Sequence, residues 1–138
     1  MKDGEKQIRL LMVDDEVGFA EVLRKRMGRR GILVETAYRG EDAVRMLREK
    51  QFDVAVLDLK LEGMDGIEIL KVFRMLDPEL PVLMLTGHGC EKAAAESIRL
   101  GAAEYLSKPV DFNLLLEKVR RACTRKEGVR ERDKGSSG

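Results

Sequence analysis

Five polar residues, at four separate places in the chain, carry side chains that together could transfer a phosphoryl group. Asp14 and Asp15 are adjacent near the amino terminus. Asp58, Thr86 and Lys108 each stand at or near the end of a mostly apolar run. Three carboxylates that meet repel one another by about 4 kcal/mol per pair at about 4 Å in an effective dielectric of about 20. Mg²⁺ would compensate, because it takes oxygen ligands and commonly binds one or two carboxylates together with a phosphate.

Asp58 is the candidate nucleophile among these residues. It stands alone on its predicted strand, whereas Asp14 and Asp15 are adjacent and better placed to hold a metal ion from a loop. Phosphoryl transfer onto a carboxylate needs an in-line nucleophile and positive charge over the equatorial oxygens. Mg²⁺ and Lys108 would supply that charge, and the Thr86 hydroxyl can donate a hydrogen bond to an anionic oxygen.

The elements that must position these residues alternate between strand and helix. Mostly apolar, β-rich runs predict five strands, at residues 8–13, 32–37, 53–59, 81–86 and 104–107. Apolar residues at helical spacing predict a helix after each strand. The first helix ends before Gly31, the second covers 41–50 and the third ends at Asp77-Pro78. The fourth covers about 91–100 and the fifth about 112–125.

The alternation predicts an α/β fold with a doubly wound, five-stranded parallel sheet, helices on both faces and right-handed crossovers. Such sheets place their sites outside the carboxyl ends of the strands, near the switch in strand order. The polar residues above are expected to converge there. The length of 138 residues fits a single domain, expected at 7–125, after a lead at 1–6 and before a flexible tail or linker at 126–138.

The composition argues against several classes of protein. With 43% hydrophobic and 37% charged residues the chain is too apolar to be disordered, and no apolar run approaches the roughly 20 residues that cross a bilayer. Two cysteines, Cys90 and Cys123, are too few for a disulfide framework, and no signal peptide opens the chain. We therefore expect a soluble protein of the cytoplasm. A net charge of +1 gives no global argument for binding nucleic acid.

Several separated motifs resemble those of the receiver domains of two-component response regulators. The resemblance covers roughly residues 7–125. Any one motif is weak evidence, but their order and spacing together are specific. The motifs are Val13-Asp14-Asp15-Glu16, Leu57-Asp58-Leu59, Gly63-Met64-Asp65-Gly66, Thr86-Gly87-His88-Gly89 and Lys108-Pro109.

The resemblance implies a chemical role for the matching residues. Asp58 would accept a phosphoryl group from a sensor histidine kinase, and Lys108 would contact that group. The peptide bond after Lys108 would be cis. The domain would catalyse only its own phosphorylation and dephosphorylation, and would be a signalling module rather than an enzyme. The implied Mg²⁺ ligands are Asp14, Asp15, Asp58 and the backbone carbonyl of Lys60.

The resemblance also implies a switch. Thr86 would move to bond a phosphoryl oxygen, and Tyr105 would turn inward behind it. A phosphoryl group shifts such a two-state element only through differential contacts with the two states. The rearranged surface, on the fourth helix, fifth strand and fifth helix, would bind an output domain, a downstream protein or a second copy of the chain, and would contact neither nucleic acid nor membrane.

Two positions depart from the family pattern. Glu62 stands where proline usually precedes Gly63, which adds flexibility and a negative charge near the site. Cys90 stands where close relatives often carry an acid after the Thr86 loop. Neither departure removes a catalytic group, but both bear on loop geometry and on the lifetime of the phosphorylated state.

Each residue also has a purely structural interpretation. Asp14 and Asp15 could be helix-capping acids, and Asp58 a turn residue at a strand end. Lys108 could be a solvated lysine, and Tyr105 could be half-buried packing. Each explanation suffices for one residue, whereas the whole set favours a site.

Other functions fit the sequence less well. A phosphohydrolase of the haloacid-dehalogenase type needs a second acid, which Asp58-Leu59-Lys60 lacks. Acids after the first strand would repel the phosphate of a flavin, and no P-loop motif occurs. The remaining alternative is a pseudo-receiver that keeps the fold, is not phosphorylated and acts as a protein-binding module.

Overall fold

The structure is a computed structural model that describes residues 7–136, with side chains over residues 7–124. The expected lead at 1–6 and residues 137–138 lie outside the described residues. The strands of the described part are β1 (Ile8–Val13), β2 (Ile32–Ala37), β3 (Val54–Leu57), β4 (Lys60–Leu61), β5 (Met64–Asp65), β6 (Val82–Thr86) and β7 (Glu104–Ser107). A parallel sheet has the order β2-β1-β3-β6-β7, and β4 pairs with β5 in an antiparallel hairpin.

Five helices complete the described part of the fold. They are α1 (Val17–Gly28), α2 (Gly40–Glu49), α3 (Gly66–Leu76), α4 (Glu91–Arg99) and α5 (Phe112–Ser136). The sequence-based end of the last helix, near Arg125, was wrong. The stretch beyond it contains no proline and is rich in Lys, Arg and Glu, which are good helix formers, so the backbone continues as a helix. The domain boundary at 125 stays a prediction.

The core consists of two clusters, one on each face of the sheet. Successive residues of a strand point to opposite faces. Leu10 and Met12 of β1 are buried with residues of α1 and α5, whereas Leu11 and Val13 are buried with residues of α2 and α3. Because both faces are covered, the strands are continuous apolar runs. The predicted doubly wound fold is confirmed.

The segment after β3 differs from its prediction. The strand ends at Leu57 rather than at residue 59, because the chain leaves the sheet and forms the β4–β5 hairpin, where the sequence predicted only a turn. Gly63 has a φ of 82°, and no other residue type has a positive φ in the described chain. Glu62 and Gly63 therefore fit the two central positions of a type II turn, whose second position needs a positive φ. Proline is common at the first of these positions, which Glu62 occupies.

None of the helices in the described part of the chain combines the length and the apolar character that crossing a bilayer requires.

Arg74 of α3 joins two loops at the edge opposite the carboxyl ends of the strands. Its guanidinium donates to the carbonyls of Leu80 at 3.0 Å, Gly101 at 3.3 Å and Asp77 at 3.4 Å, and also to that of Pro78. Burial lowers the pKa of Arg74, and the charge of Asp77 opposes this effect. The guanidinium nevertheless remains charged, because arginine is not deprotonated in proteins. One side chain thus fastens the α3–β6 loop to the α4–β7 loop.

We expect Arg74→Met to lower the free energy of unfolding by about 1.5–3 kcal/mol, because four carbonyls, among them that of the buried Leu80, lose a charged donor. Urea unfolding followed by circular dichroism measures this change. The matched control is Arg45→Met, since Arg45 is exposed and pairs with Asp42 at 3.3 Å on the surface of α2. The control should cost about 0.5 kcal/mol or less. Equal unfolding midpoints for the two variants would contradict the assignment.

Candidate functional site

Two buried carboxylates lie side by side at the carboxyl edge of the sheet. Asp14 directly follows β1, and Asp58 directly follows β3. The strands pair with Val13 beside Leu57, and the Asp58 N–H donates to the Val13 carbonyl at 2.9 Å. Asp14 is 0% exposed and Asp58 is 2% exposed. Because burying an unpaired charge is expensive, the partners of these acids determine what the edge can do.

The ammonium group of Lys108 is their shared partner. Lys108 follows β7, and its side chain is 12% exposed. Its Nζ donates to Asp14 Oδ2 at 2.7 Å and to Glu16 Oε1 at 2.7 Å, and it lies 3.5 Å from Asp58 Oδ2. The Lys108-Pro109 peptide bond is cis, as the resemblance implied. One ammonium therefore offsets part of the charge of three carboxylates.

The third carboxylate of this cluster belongs to Glu16 rather than Asp15. One carboxylate oxygen from each of Asp14, Glu16 and Asp58 lies within 4.8 Å of the others. The Glu16 N–H donates to Asp14 Oδ1 at 2.9 Å, which shapes the turn between β1 and α1 and leaves Asp15 exposed. Glu16 was not among the site residues predicted from the sequence. Two adjacent aspartates in the sequence do not reveal which side chain of the turn joins the carboxylate cluster.

Burial and hydrogen bonding shift the pKa values of Asp14 and Lys108 in opposite directions. Burial raises the pKa of Asp14, against the hydrogen bonds from Lys108 and from the Glu16 N–H. Burial also lowers the pKa of Lys108, but hydrogen bonds to Asp14 and Glu16 outweigh it and leave that pKa raised. Lys108 is therefore a permanent positive charge at neutral pH.

The donor set fits a hard divalent cation. Three carboxylates share one ammonium group, so the cluster of Asp14, Glu16 and Asp58 keeps an excess of negative charge. Carboxylate oxygens are the ligands that such cations prefer. The backbone of Lys60, whose carbonyl is the implied ligand, lies beside Asp58. The Lys60 N–H donates to Asp58 Oδ1 at 3.3 Å. These residues could hold a metal ion beside Asp58.

Thr86 ends β6 at the same edge and is 1% exposed. Its Oγ1 accepts a hydrogen bond from the His88 N–H at 3.1 Å, and its carbonyl accepts one from the Lys108 N–H at 2.9 Å. A hydroxyl that accepts one bond still has a proton to donate to another acceptor. The backbone thus ties the predicted hydroxyl donor to the predicted lysine.

Tyr105 of β7 lies in a notch that exists because residue 89 is glycine. A β-carbon on Gly89 would be 1.6 Å from the Tyr105 hydroxyl oxygen and 3.2 Å from Thr86 Cγ2. Among the described residues this buried hydroxyl has no hydrogen-bond partner of good geometry, although the Cys90 backbone is near. Burial is the main cause that raises the pKa of Tyr105, electrostatic interactions with Cys90 and Asp58 raise it further, and the nearby Cys90 backbone opposes them. Tyr105 already points inward here, and the need for glycine at position 89 was not predicted from the sequence.

The geometry agrees with a comparison of the sequence with known families. The family described as the response regulator receiver domain matches residues 10–120. The chain belongs to this family. It is a receiver domain of the two-component response regulators, as its motifs predicted, and the sequence-based assignment of its fold is confirmed.

Curated relatives of this receiver domain are transcriptional regulators. The transcriptional regulatory protein ZraR of Salmonella typhimurium is 38% identical over 125 residues, which cover 89% of the chain and 28% of ZraR. GlrR of Escherichia coli, also a transcriptional regulatory protein, is 32% identical over 116 residues, which cover 84% of the chain and 26% of GlrR. The chain therefore spans about a quarter of the length of these relatives.

Solved structures show the same fold. A CheY-like receiver domain from Methanospirillum hungatei has a TM-score of 0.86 and 28% identity, covering 89% of this chain and 98% of that one. A response regulator from Burkholderia pseudomallei, whose structure holds a phosphorylated aspartic acid and a calcium ion, has a TM-score of 0.79 and 25% identity, covering 89% of this chain and 72% of that one. Receiver domains are phosphorylated by histidine kinases.

Gly66 brings α3 against the receiver site. Its N–H donates to the Leu59 carbonyl at 2.7 Å, and a β-carbon at this position would lie 2.3 Å from the Asp58 carbonyl oxygen. The preceding Asp65 caps the helix by accepting a bond from the Ile67 N–H at 2.9 Å. The glycine of this motif is therefore required by the close approach of α3 to the loop that carries Asp58.

Replacing Gly89 by alanine should expel Tyr105 from its notch, because the new β-carbon and the hydroxyl cannot occupy the same space. Burial is the largest cause of the raised pKa of Tyr105, so that pKa should fall towards its ordinary value. Absorbance titration of the phenol measures it in a Tyr38→Phe background, where Tyr105 is the remaining one of the two tyrosines.

Gly87→Ala is the matched control, since a β-carbon there meets Lys108 Cβ at 3.8 Å, an ordinary contact. It should leave the pKa of Tyr105 unchanged. An unchanged pKa in Gly89→Ala as well would show that the notch does not determine the position of the ring.

Proposed function

We propose that Asp58 accepts a phosphoryl group from the phosphohistidine of a sensor histidine kinase. The observation that supports this assignment is the weak engagement of its carboxylate. Asp58 Oδ1 accepts from the Lys60 N–H at 3.3 Å and Oδ2 lies 3.5 Å from Lys108 Nζ. Asp14, by contrast, accepts hydrogen bonds at 2.7 and 2.9 Å. Asp58 therefore has the more available lone pairs of the two buried acids, and it lies beside a fixed positive charge.

The transfer forms a bond between an Asp58 carboxylate oxygen and phosphorus, and it breaks the phosphorus–nitrogen bond of the donor histidine. The electron pair of the broken bond returns to the imidazole. Lys108 exchanges a carboxylate partner for one phosphoryl oxygen, and the Thr86 hydroxyl donates a hydrogen bond to a second phosphoryl oxygen. Attack of water on the acyl phosphate later releases inorganic phosphate and restores Asp58. The domain thereby catalyses its own phosphorylation and dephosphorylation.

We propose Mg²⁺ as the cofactor, held by Asp14, Asp15, Asp58 and the Lys60 backbone carbonyl. When bound, Mg²⁺ supplies positive charge to the carboxylates and to the transferred phosphoryl oxygens. The excess negative charge of the cluster supports this proposal. Asp15 is retained as a ligand because it adjoins Asp14, and Glu16, which pairs with Lys108 as Asp14 does, is the alternative third carboxylate.

The surface formed by α4, β7 and α5 is the proposed output surface. Thr86 and Tyr105 connect it to the site, because Thr86 Cγ2 and the Tyr105 hydroxyl both border the position of Gly89, just before α4. Ile98 of α4 and Leu114 of α5 are 49% and 40% exposed, which suits contact with a protein. An output domain, a downstream protein or a second copy of this chain would bind there. We propose that the domain works in the reducing cytoplasm, where a thiol such as that of the exposed Cys90 is not oxidised to a disulfide.

Incubation with acetyl phosphate and Mg²⁺ should add one phosphoryl group to the protein, detected by intact-mass spectrometry. The adduct should disappear in Asp58→Asn and when Mg²⁺ is left out, because both the nucleophile and the compensating charge are needed. Asp53→Asn is a control in which an aspartate at the opposite end of β3 is changed. It should still be phosphorylated.

Absence of the adduct has two possible causes, which beryllofluoride separates. A short-lived acyl phosphate would still allow beryllofluoride to bind in the presence of Mg²⁺. Absence of both the adduct and beryllofluoride binding, with Mg²⁺ demonstrably bound, would favour the pseudo-receiver.

Calorimetric titration with Mg²⁺ tests the ligand set. Asp15→Asn should weaken Mg²⁺ binding by roughly tenfold or more, because cation affinity follows the number of charged ligands. Glu16→Gln should have a smaller effect, since Lys108 engages this carboxylate. The reverse ranking would assign the third carboxylate ligand to Glu16.

A further inference from the structure

The ammonium group of Lys108 also rests on an aromatic ring. Its Nζ lies 4.3 Å from the centre of the Phe19 ring. Phe19 belongs to the first turn of α1 and is partly buried against the core cluster formed with α5. A cation over an aromatic face at this distance is attracted by the quadrupole of the ring, and the attraction is stronger where water is excluded. The Lys108 side chain is only 12% exposed.

The ring contact differs in kind from the other contacts of Lys108. An ammonium has three N–H donors, and three carboxylates lie within reach of them here, those of Asp14, Glu16 and Asp58. The ring attracts the charge without accepting a conventional hydrogen bond. It can therefore remain in contact while the donors change partners.

We propose that Phe19 is a positioning residue for the reaction at Asp58. Its ring keeps the Lys108 ammonium at the site while this group exchanges a carboxylate for the incoming phosphoryl oxygen. This inference rests on the proposed function of Asp58. Among the carboxylate partners, Glu16 is 58% exposed, so it can draw the ammonium towards solvent. The ring provides an attraction on the protein side that does not depend on Glu16.

Three variants separate this role from simple packing. Phe19→Leu keeps an apolar side chain but removes the aromatic face. Phe19→Tyr keeps both the ring and its face. Incorporation of 3,4,5-trifluorophenylalanine at position 19 keeps the shape of the ring and weakens its attraction for a cation, which guards against a Leu variant that fails to fold.

Two measurements are made on each variant of the full chain. The first is the chemical shift of the Lys108 ε-methylene protons by NMR, which the ring current displaces when the side chain lies over the aromatic face. The second is the rate of phosphorylation by acetyl phosphate with saturating Mg²⁺, resolved into the maximal rate and the half-saturating donor concentration. The same rates are measured for Phe19→Leu in a Lys108→Met background.

We expect the maximal rate to fall roughly three- to tenfold in the Leu and trifluoro variants, the free-energy equivalent of one cation–π contact, and to be kept in the Tyr variant. The displaced shift should vanish in Phe19→Leu. In the Lys108→Met background the Leu substitution should have no further effect on the rate.

An unchanged rate in a folded trifluoro variant would overturn the proposal, as would an equal loss of rate in the Lys108→Met background. Failure of the proposed function gives a different result. The wild-type protein would then take up no phosphoryl group, whereas the displaced Lys108 shift would still report the ring contact.

Discussion

One shared ammonium group determines the arrangement of the site. Asp14 and Asp58 are buried beside each other, and such a pair is tolerated only where positive charge is near. Lys108 supplies that charge and holds Asp14 more tightly than Asp58. Asp14 therefore has lone pairs engaged by two short hydrogen bonds, whereas those of Asp58 are more available. This difference in hydrogen bonding, rather than any difference in burial, distinguishes the proposed nucleophile from its neighbour.

The parallel sheet makes this arrangement possible. Because β1, β3, β6 and β7 run in the same direction, their carboxyl ends bring residues that are far apart in sequence to one edge. The start of α3 packs closely against this edge, because the space between Gly66 and the Asp58 carbonyl is too small for a β-carbon. At the opposite edge Arg74 fastens two loops through their carbonyls. The polar cluster and the Arg74 contacts thus lie at opposite ends of the sheet.

The proposed output surface is linked to the site by packing rather than by charge. Thr86 contacts Lys108 through the backbone and borders the notch that holds the Tyr105 hydroxyl. That hydroxyl is buried without a good hydrogen-bond partner among the described residues, which is a cost that another position of the ring would relieve. A phosphoryl group that draws Thr86 towards Asp58 would change the wall of the notch. The proposed switch role of Tyr105 would follow from this shared wall.

The fold and the meeting of polar residues at one sheet edge were predictable from the amino-acid pattern, because strands covered on both faces are continuous apolar runs and isolated polar residues mark the strand ends. Asp14, Asp58, Thr86 and Lys108 were predicted to meet at one edge on these grounds. That Glu16 rather than Asp15 joins the carboxylate cluster could not be predicted, since the direction of a side chain in a loop depends on contacts with distant residues. The notch at Gly89 and the ring of Phe19 under Lys108 depend likewise on residues brought together by folding, which periodicity along the chain cannot encode.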